Sequence, residues 1–218
     1  MAPMLCRYLI LEDGFKILAS IRRESTLDKV MVDVGSNDGT SIEMMRQFFP
    51  NSKIYAFEPI VTIPNRFKKI EENGLLDWSN VALGRQEGKT ELFTPIINGK
   101  KFDQFSSTDK NAVLENTEKY LRFKKESIRF VSRIVPVETV DYQKICPFFI
   151  KIDVEGNELN VLEGARQTIY ESKPIILVEI NDSESYSEIT SFMESISYKK
   201  KYLHDFNPKI NNYVFVYE

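Results

Sequence analysis

A chain of 218 residues is long enough to bury one substantial core and short for two, so a single domain over 1–218 is expected. Hydrophobic residues make up 42% and charged residues 28%, which excludes a fibrous repeat and wholesale disorder. Twenty-nine basic against thirty-two acidic residues leave a net charge of -3, so the chain lacks the electrostatic footprint of a protein that grips nucleic acid.

In chain order, residues 1–29 are expected to form a helical preface packed on a sheet. The opening lacks the basic-then-apolar layout of a leader, and no run reaches the roughly 18 apolar residues of a spanning helix. Cys6 and Cys146 lie far apart without CxxC spacing, so neither a disulfide framework nor a thiolate zinc site is indicated, and the expected location is cytoplasmic. Val30 to Val34 reads as a buried strand, and Ile42, Met45 and Phe49 then recur at helical spacing. A second strand covers Lys53 to Phe57. The stretch from Leu92 to Val140 is less regular, with a helix expected over 111–124 and a strand over 128–137, and is read as an insertion or lid. Regular alternation resumes with a strand at Phe148 to Ile152, a helix through Leu159, Leu162, Ala165 and Ile169, and a strand at Ile175 to Ile180. A helix over 184–196 follows, with Ser185 and Glu188 in capping-box spacing. Two terminal strands, 198–203 and 213–217, flank a loop through Asn207 and Pro208. Strands alternating with crossover helices imply an α/β fold, doubly wound about a mostly parallel sheet.

The segment Val30-Met-Val-Asp-Val-Gly-Ser-Asn-Asp-Gly-Thr40 runs from strand through a glycine turn into a helix. Gly35 and Gly39 permit positive φ, and the helix start offers amide groups and a positive dipole end to a carboxylate or phosphate. Glu58, followed by Pro59, ends the second strand about 20 residues further on, the distance at which such folds bind ribose hydroxyls. The turn reads G-S-N-D-G and not G-x-G-x-x-G. That departure favours S-adenosylmethionine, which carries no pyrophosphate, over a dinucleotide.

Together with Asn80-Val-Ala-Leu-Gly84, Lys151-Ile-Asp-Val-Glu-Gly-Asn-Glu158 and Pro174-Ile-Ile-Leu-Val-Glu179, these blocks resemble the FkbM-type methyltransferase family from Val30 to about Ile180. The resemblance implies a class I methyltransferase fold, a seven-stranded sheet with its last strand antiparallel, and O-methylation of a hydroxyl on a sugar, glycan, lipid or polyketide-like secondary metabolite. It implies that Gly35, Asn37 and Gly39, with Ser36 in the same turn, surround the methionine part of S-adenosylmethionine. Glu58 and Pro59 then belong to the ribose and Asn80, Val81 and Ala82 to the adenine edge, while Asp33 braces the turn. Asn80 reads equally as a turn former.

Asp153 and Glu155 stand where open α/β sheets place their chemistry, as candidates to orient the acceptor and take its proton, or else to fix the turn and cap the next helix. With Glu179 they offer an alternative as ligands of a divalent cation, although a metal-free route is favoured. Lys151 reads as a pairing or edge charge, with a catalytic role as the alternative, and Ser106, Ser107 and Asp109 as polar contacts for the acceptor. His204, the lone histidine, is a candidate base, with a surface or capping role as the plainer reading. Tyr120 and Lys124 match the Tyr-x-x-x-Lys spacing of short-chain NAD(P)-dependent oxidoreductases, which makes an oxidoreductase the alternative enzyme class. A non-catalytic cofactor-binding module is the alternative outside catalysis. Asp153-Val-Glu-Gly156 replaces the Asp/Asn-Pro-Pro-aromatic turn of amino-group methyltransferases acting on bases.

Overall fold

The computed structural model describes residues 15–22, 29–124, 127–201 and 211–218. Its helices are α1 (Lys16–Arg22), α2 (Thr40–Phe48), α3 (Lys68–Glu72), α4 (Lys110–Leu121), α5 (Glu158–Glu163), α6 (Arg166–Ser172) and α7 (Ser183–Ser195). The strands are β1 (Met31–Val34), β2 (Ile54–Phe57), β3 (Leu76–Ser79), β4 (Ala82–Leu83), β5 (Gly88–Ile97), β6 (Lys100–Lys101), β7 (Arg129–Glu138), β8 (Phe149–Ile152), β9 (Ile175–Glu179), β10 (Tyr198–Lys201) and β11 (Asn212–Tyr217). Seven of them form one sheet in the order β10-β11-β9-β8-β1-β2-β3. β3, β2, β1, β8 and β9 pair in parallel, whereas β11 inserts between β9 and β10 and runs antiparallel to both.

The sheet is covered on both faces, which is why its central strands read as unbroken apolar runs. Side chains alternate between the faces along each strand. Val32, Val34, Ile150 and Ile152 join a core with Val161 and Leu162 of α5, Ile169 of α6 and Ile189, Phe192 and Met193 of α7. Met31 and Phe149 face the other way, onto Ile17 and Leu18 of α1 and Ile42 and Met45 of α2. By the same alternation Asp33 and Lys151, which are register partners, face the second core.

Four features departed from the sequence reading. The apolar pattern through Leu159 and Ile169 is two helices, because the backbone breaks where Gly164 meets Gly84: a Cβ on Gly164 would lie 1.9 Å from the Gly84 carbonyl oxygen. α6 is then capped from a distance, with the Gln167 and Thr168 amides donating to Asp141 Oδ2 and Oδ1 at 3.1 and 2.7 Å. The cap of α7 is Asp182, whose Oδ1 accepts from the Glu184 and Ser185 amides at 3.0 and 2.8 Å, and not a Ser185–Glu188 box. Within the 92–140 stretch the structure forms a second sheet, β4-β7-β5-β6, whose ten-residue strands β5 and β7 pair antiparallel from Gly88↔Val137 to Ile96↔Arg129. β5 begins at Gly88, ahead of the irregular region, and together with β3 it carries too many polar residues to signal burial on two faces.

Asp182→Ala is expected to lower stability by about 1 kcal/mol, read as a shift of the urea midpoint at neutral pH. Burial raises the Asp182 carboxyl, but hydrogen bonds from Ser185 and the Glu184 amide outweigh it and hold it below the usual aspartate value. The cap therefore contributes fully above that usual value and is lost as pH falls through the lowered one, so wild type and variant should converge in acid. Among the described residues no helix is long and apolar enough to cross a membrane.

Candidate active site

The C-terminal ends of β1, β2 and β8 open onto one cleft, whose far wall is Asp103 to Ser106 and Thr108, from the segment between β6 and α4. Of the residues singled out in the sequence, Gly35, Asn37, Glu58, Pro59, Val81, Ala82, Ser106, Asp153 and Glu155 line it. Asp33, Ser36, Gly39 and Asn80 stand behind. Asp33 is fully buried and accepts from Ser41 Oγ on α2 at 2.6 Å. Ser36 Oγ donates to the Asp33 carbonyl at 3.0 Å. A Cβ on Gly39 would meet the Phe67 ring at 2.2 Å, so this glycine makes room for a core aromatic. Asn80 Nδ2 donates to the Glu58 and Val61 carbonyls, both at 2.8 Å, tying down the loop after β2.

The glycine turn is closed upon itself. Gly35 and Ser36 amides donate to the Phe57 carbonyl, Gly39 donates to Ser36, and Thr40 donates to Asp38 Oδ1. Asn37, at a φ of 43°, donates to Glu58 Oε2 at 3.0 Å. Glu58 Oε1 accepts from the Ile60 and Val61 amides at 2.8 and 3.3 Å, so one carboxylate joins the turns after β1 and β2. Burial pushes the Glu58 carboxyl above its usual value despite the pull of these three amides. A turn whose Gly39 and Thr40 amides are taken up locally, with the Asp38 carboxylate beside the helix start, is poorly suited to a pyrophosphate.

The turn after β8 holds the second set of groups. Lys151 Nζ lies 3.0 Å from Asp153 Oδ2, 3.7 Å from Asp33 Oδ1, and donates to the Gly35 carbonyl at 3.1 Å. It is the pairing charge that joins β8, β1 and the glycine turn. Burial raises the Asp153 carboxyl, but the Lys151 ammonium and hydrogen bonds with Glu179 and Lys151 hold it below the usual aspartate value. Its neighbour Glu179, at the end of β9, goes the other way: burial, the Asp153 charge and their shared hydrogen bond push it up to about 10. Glu155 is pushed up to about 8 by burial and by the charges of Asp153 and Glu158, against the pull of a hydrogen bond from Asn116 Nδ2 at 2.8 Å. Glu158 Oε1 accepts from the Val154 and Gly156 amides at 3.2 and 3.0 Å and so fixes the turn's shape.

Residues 33–202, most of the chain, match the family signature described as the Methyltransferase FkbM domain. This chain belongs to the FkbM methyltransferase family. Among similar proteins, Methyltransferase 1 of Beauveria bassiana (strain ARSEF 2860) is 26% identical over 189 residues, covering 77% of this chain and 71% of that one. The crystal structure of Methyltransferase FkbM from Methylobacillus flagellatus KT superposes with a TM-score of 0.58 at 17% identity. That match covers 87% of this chain and 44% of the other, so this chain spans less than half of its length. The chain thus has the class I methyltransferase architecture, doubly wound about a seven-stranded, mostly parallel sheet with its last strand antiparallel.

The remaining candidates of this FkbM chain fall elsewhere. Ser107 Oγ accepts from the Asp109 amide and Asp109 caps α4 through the Asn111 amide, so both are spent on starting that helix. Ser106 is on the cleft wall with its Oγ 2.8 Å from Thr94 Oγ1. α4 ends at Leu121 with Arg122 in the left-handed region, so positions 120 and 124 do not share a helix face as a Tyr-Lys dehydrogenase pair requires. His204, Asn207 and Pro208 lie outside the described residues. Among the described residues no three His, Cys, Asp or Glu side chains converge to hold a metal ion, so the Asp153, Glu155 and Glu179 grouping does not form such a site. Asn116 and Phe105 were missed by sequence reasoning. Their only signal was membership of the irregular stretch.

Proposed function

We propose that this protein transfers a methyl group from S-adenosylmethionine to a hydroxyl of an uncharged acceptor, such as a sugar, glycan, lipid or secondary metabolite. The observation that carries the reading is the acidic make-up of the cleft wall: Glu58, Asp103, Asp153 and Glu155 line it and, among the described residues, no Lys, Arg or His does. Such a wall suits a sulfonium cation and repels phosphate-bearing ligands, nucleic acid included. The self-satisfied glycine turn supports the same choice over a dinucleotide. When bound, S-adenosylmethionine supplies an electrophilic methyl group.

The chain's own residues bind and align. Glu58, with both oxygens oriented by backbone amides, is placed to accept from ribose hydroxyls, and Val81 and Ala82 offer an apolar edge to adenine. Asp153 and Glu155 are assigned to the acceptor side, and Phe105 and Ser106, on the segment between β6 and α4, close the cleft. Glu58→Ala should weaken S-adenosylhomocysteine binding roughly ten- to a hundredfold in titration calorimetry, the loss of about 1.5 to 3 kcal/mol of charge-assisted hydrogen bonds. Wild-type protein that does not bind S-adenosylhomocysteine at all would overturn the reading.

A further inference from the structure

We propose that Glu155, and not Asp153, is the group that takes the acceptor's proton, and that docking of the cationic donor is what readies it. The inference rests on the S-adenosylmethionine reading above. Its grounds are the unequal surroundings of two carboxylates on one turn. Asp153 is committed to Lys151, whose ammonium lies 3.0 Å away and is itself anchored on the Gly35 carbonyl. A carboxylate held in an ion pair with a lysine of a buried strand is a weak base, and moving its charge would also release Lys151 and Asp33.

Among the described residues Glu155 has no cation in contact. Its carboxylate accepts from a neutral amide, Asn116 Nδ2 on α4. Its backbone sits at a φ of 55°, a conformation that residues with side chains seldom adopt and that persists only where neighbours enforce it. Those neighbours are Glu158, which accepts from the amides on either side, and α4, whose Ala112 Cβ would stand 3.4 Å from any Cβ at Gly156. The strained turn places Glu155 on the cleft wall.

The charged groups facing Glu155 are Asp153 on its own turn, Glu158 at the start of α5, Glu179 at the end of β9 and Lys151 on β8. The acids outnumber the lysine, which agrees with a carboxyl that ionises only near pH 8. A positive charge arriving in the cleft opposes them and favours the ionised form. In the transfer, the acceptor oxygen forms its bond to the methyl carbon as the carbon–sulfur bond breaks. The hydroxyl proton passes to the Glu155 carboxylate, and the sulfur keeps the electron pair as a neutral thioether. After the neutral product forms, the protonated Glu155 is restored.

The test is proton release on binding, measured at pH 7 by calorimetry in buffers of different ionisation enthalpy. The probes are sinefungin, which carries an amine where the donor has its sulfonium methyl, and neutral S-adenosylhomocysteine. Wild type should release between about half and one proton more with sinefungin than with S-adenosylhomocysteine. Glu155→Gln should abolish that difference at every pH, whereas Asp153→Asn, which removes a charge that raises Glu155, should keep it but move it to lower pH. Asn116→Ala, which removes a hydrogen bond favouring the ionised form, should move the release to higher pH. Equal release by the two probes in wild type, or release that survives in Glu155→Gln, would overturn the assignment. Failure of either probe to bind would instead strike the donor reading on which it rests.

Discussion

Lys151→Met is expected to destabilise the fold by about 3 to 5 kcal/mol, the cost of leaving buried carboxylates without their cation. Asp33 is fully buried and its Oδ1 has no hydrogen-bond partner, so its compensation comes from the Lys151 ammonium at 3.7 Å. Methionine keeps the length and apolar stem of the side chain and removes only the charge. Because domains of this kind are stable by only about 5 to 15 kcal/mol, the loss should be plain in a urea titration as a lowered midpoint with an unchanged slope. Adding Asp33→Asn to the same protein should return at least about 1 kcal/mol, since the two residues belong to one network and their effects cannot add. A loss below about 1 kcal/mol for Lys151→Met, or no recovery in the double variant, would contradict the role assigned to the pair.

Gly35→Ala should disturb both the fold and the cleft. Gly35 sits at a φ of 79°, and a Cβ there would come within 1.8 Å of the Asp153 carbonyl oxygen, a backbone atom that cannot step aside alone. The turn after β1 would have to separate from the end of β8, and with it the Lys151 hydrogen bond to the Gly35 carbonyl. A combined cost of about 3 to 5 kcal/mol is expected, with S-adenosylhomocysteine binding weakened at least tenfold. Gly74→Ala separates the two causes. Gly74 has a φ of 71° but open space around its missing Cβ. Its substitution should cost only the conformational part, about 1 to 2 kcal/mol. Equal losses at the two positions would show that the close approach to Asp153 is not what constrains the turn.

Much of the site could be read in the sequence because it lies where regular elements end. Strand β1 stops at Val34, β2 at Phe57 and β8 at Ile152, and in a parallel sheet those ends share one edge. Glu58, Asp153 and Glu155 were therefore placed near one another without knowledge of a single contact. The division of labour between the carboxylates could not be read that way. It depends on Lys151 and Asn116, which approach the turn from a buried strand face and from α4, and no local pattern reports distances across folded chain.

By itself the sequence determined the class of fold, through apolar runs that suit strands covered on both faces and helical spacing between them. It also determined the family, through the blocks at 33–39, 57–59, 80–84 and 151–158. Tertiary structure alone decided how α6 is capped, since Asp141 is 26 residues from the amide of Gln167. It alone decided that Gly39 serves the Phe67 ring and Gly35 the Asp153 carbonyl, although both were recognised as turn glycines. It alone revealed that the strand expected over 128–137 pairs with β5, from Gly88↔Val137 to Ile96↔Arg129. The physical reason is the same in each case. Periodicity records which side of an element is dry, a property each segment carries alone, whereas caps, close approaches and ion pairs are made by two segments whose meeting is set by the packing of the whole.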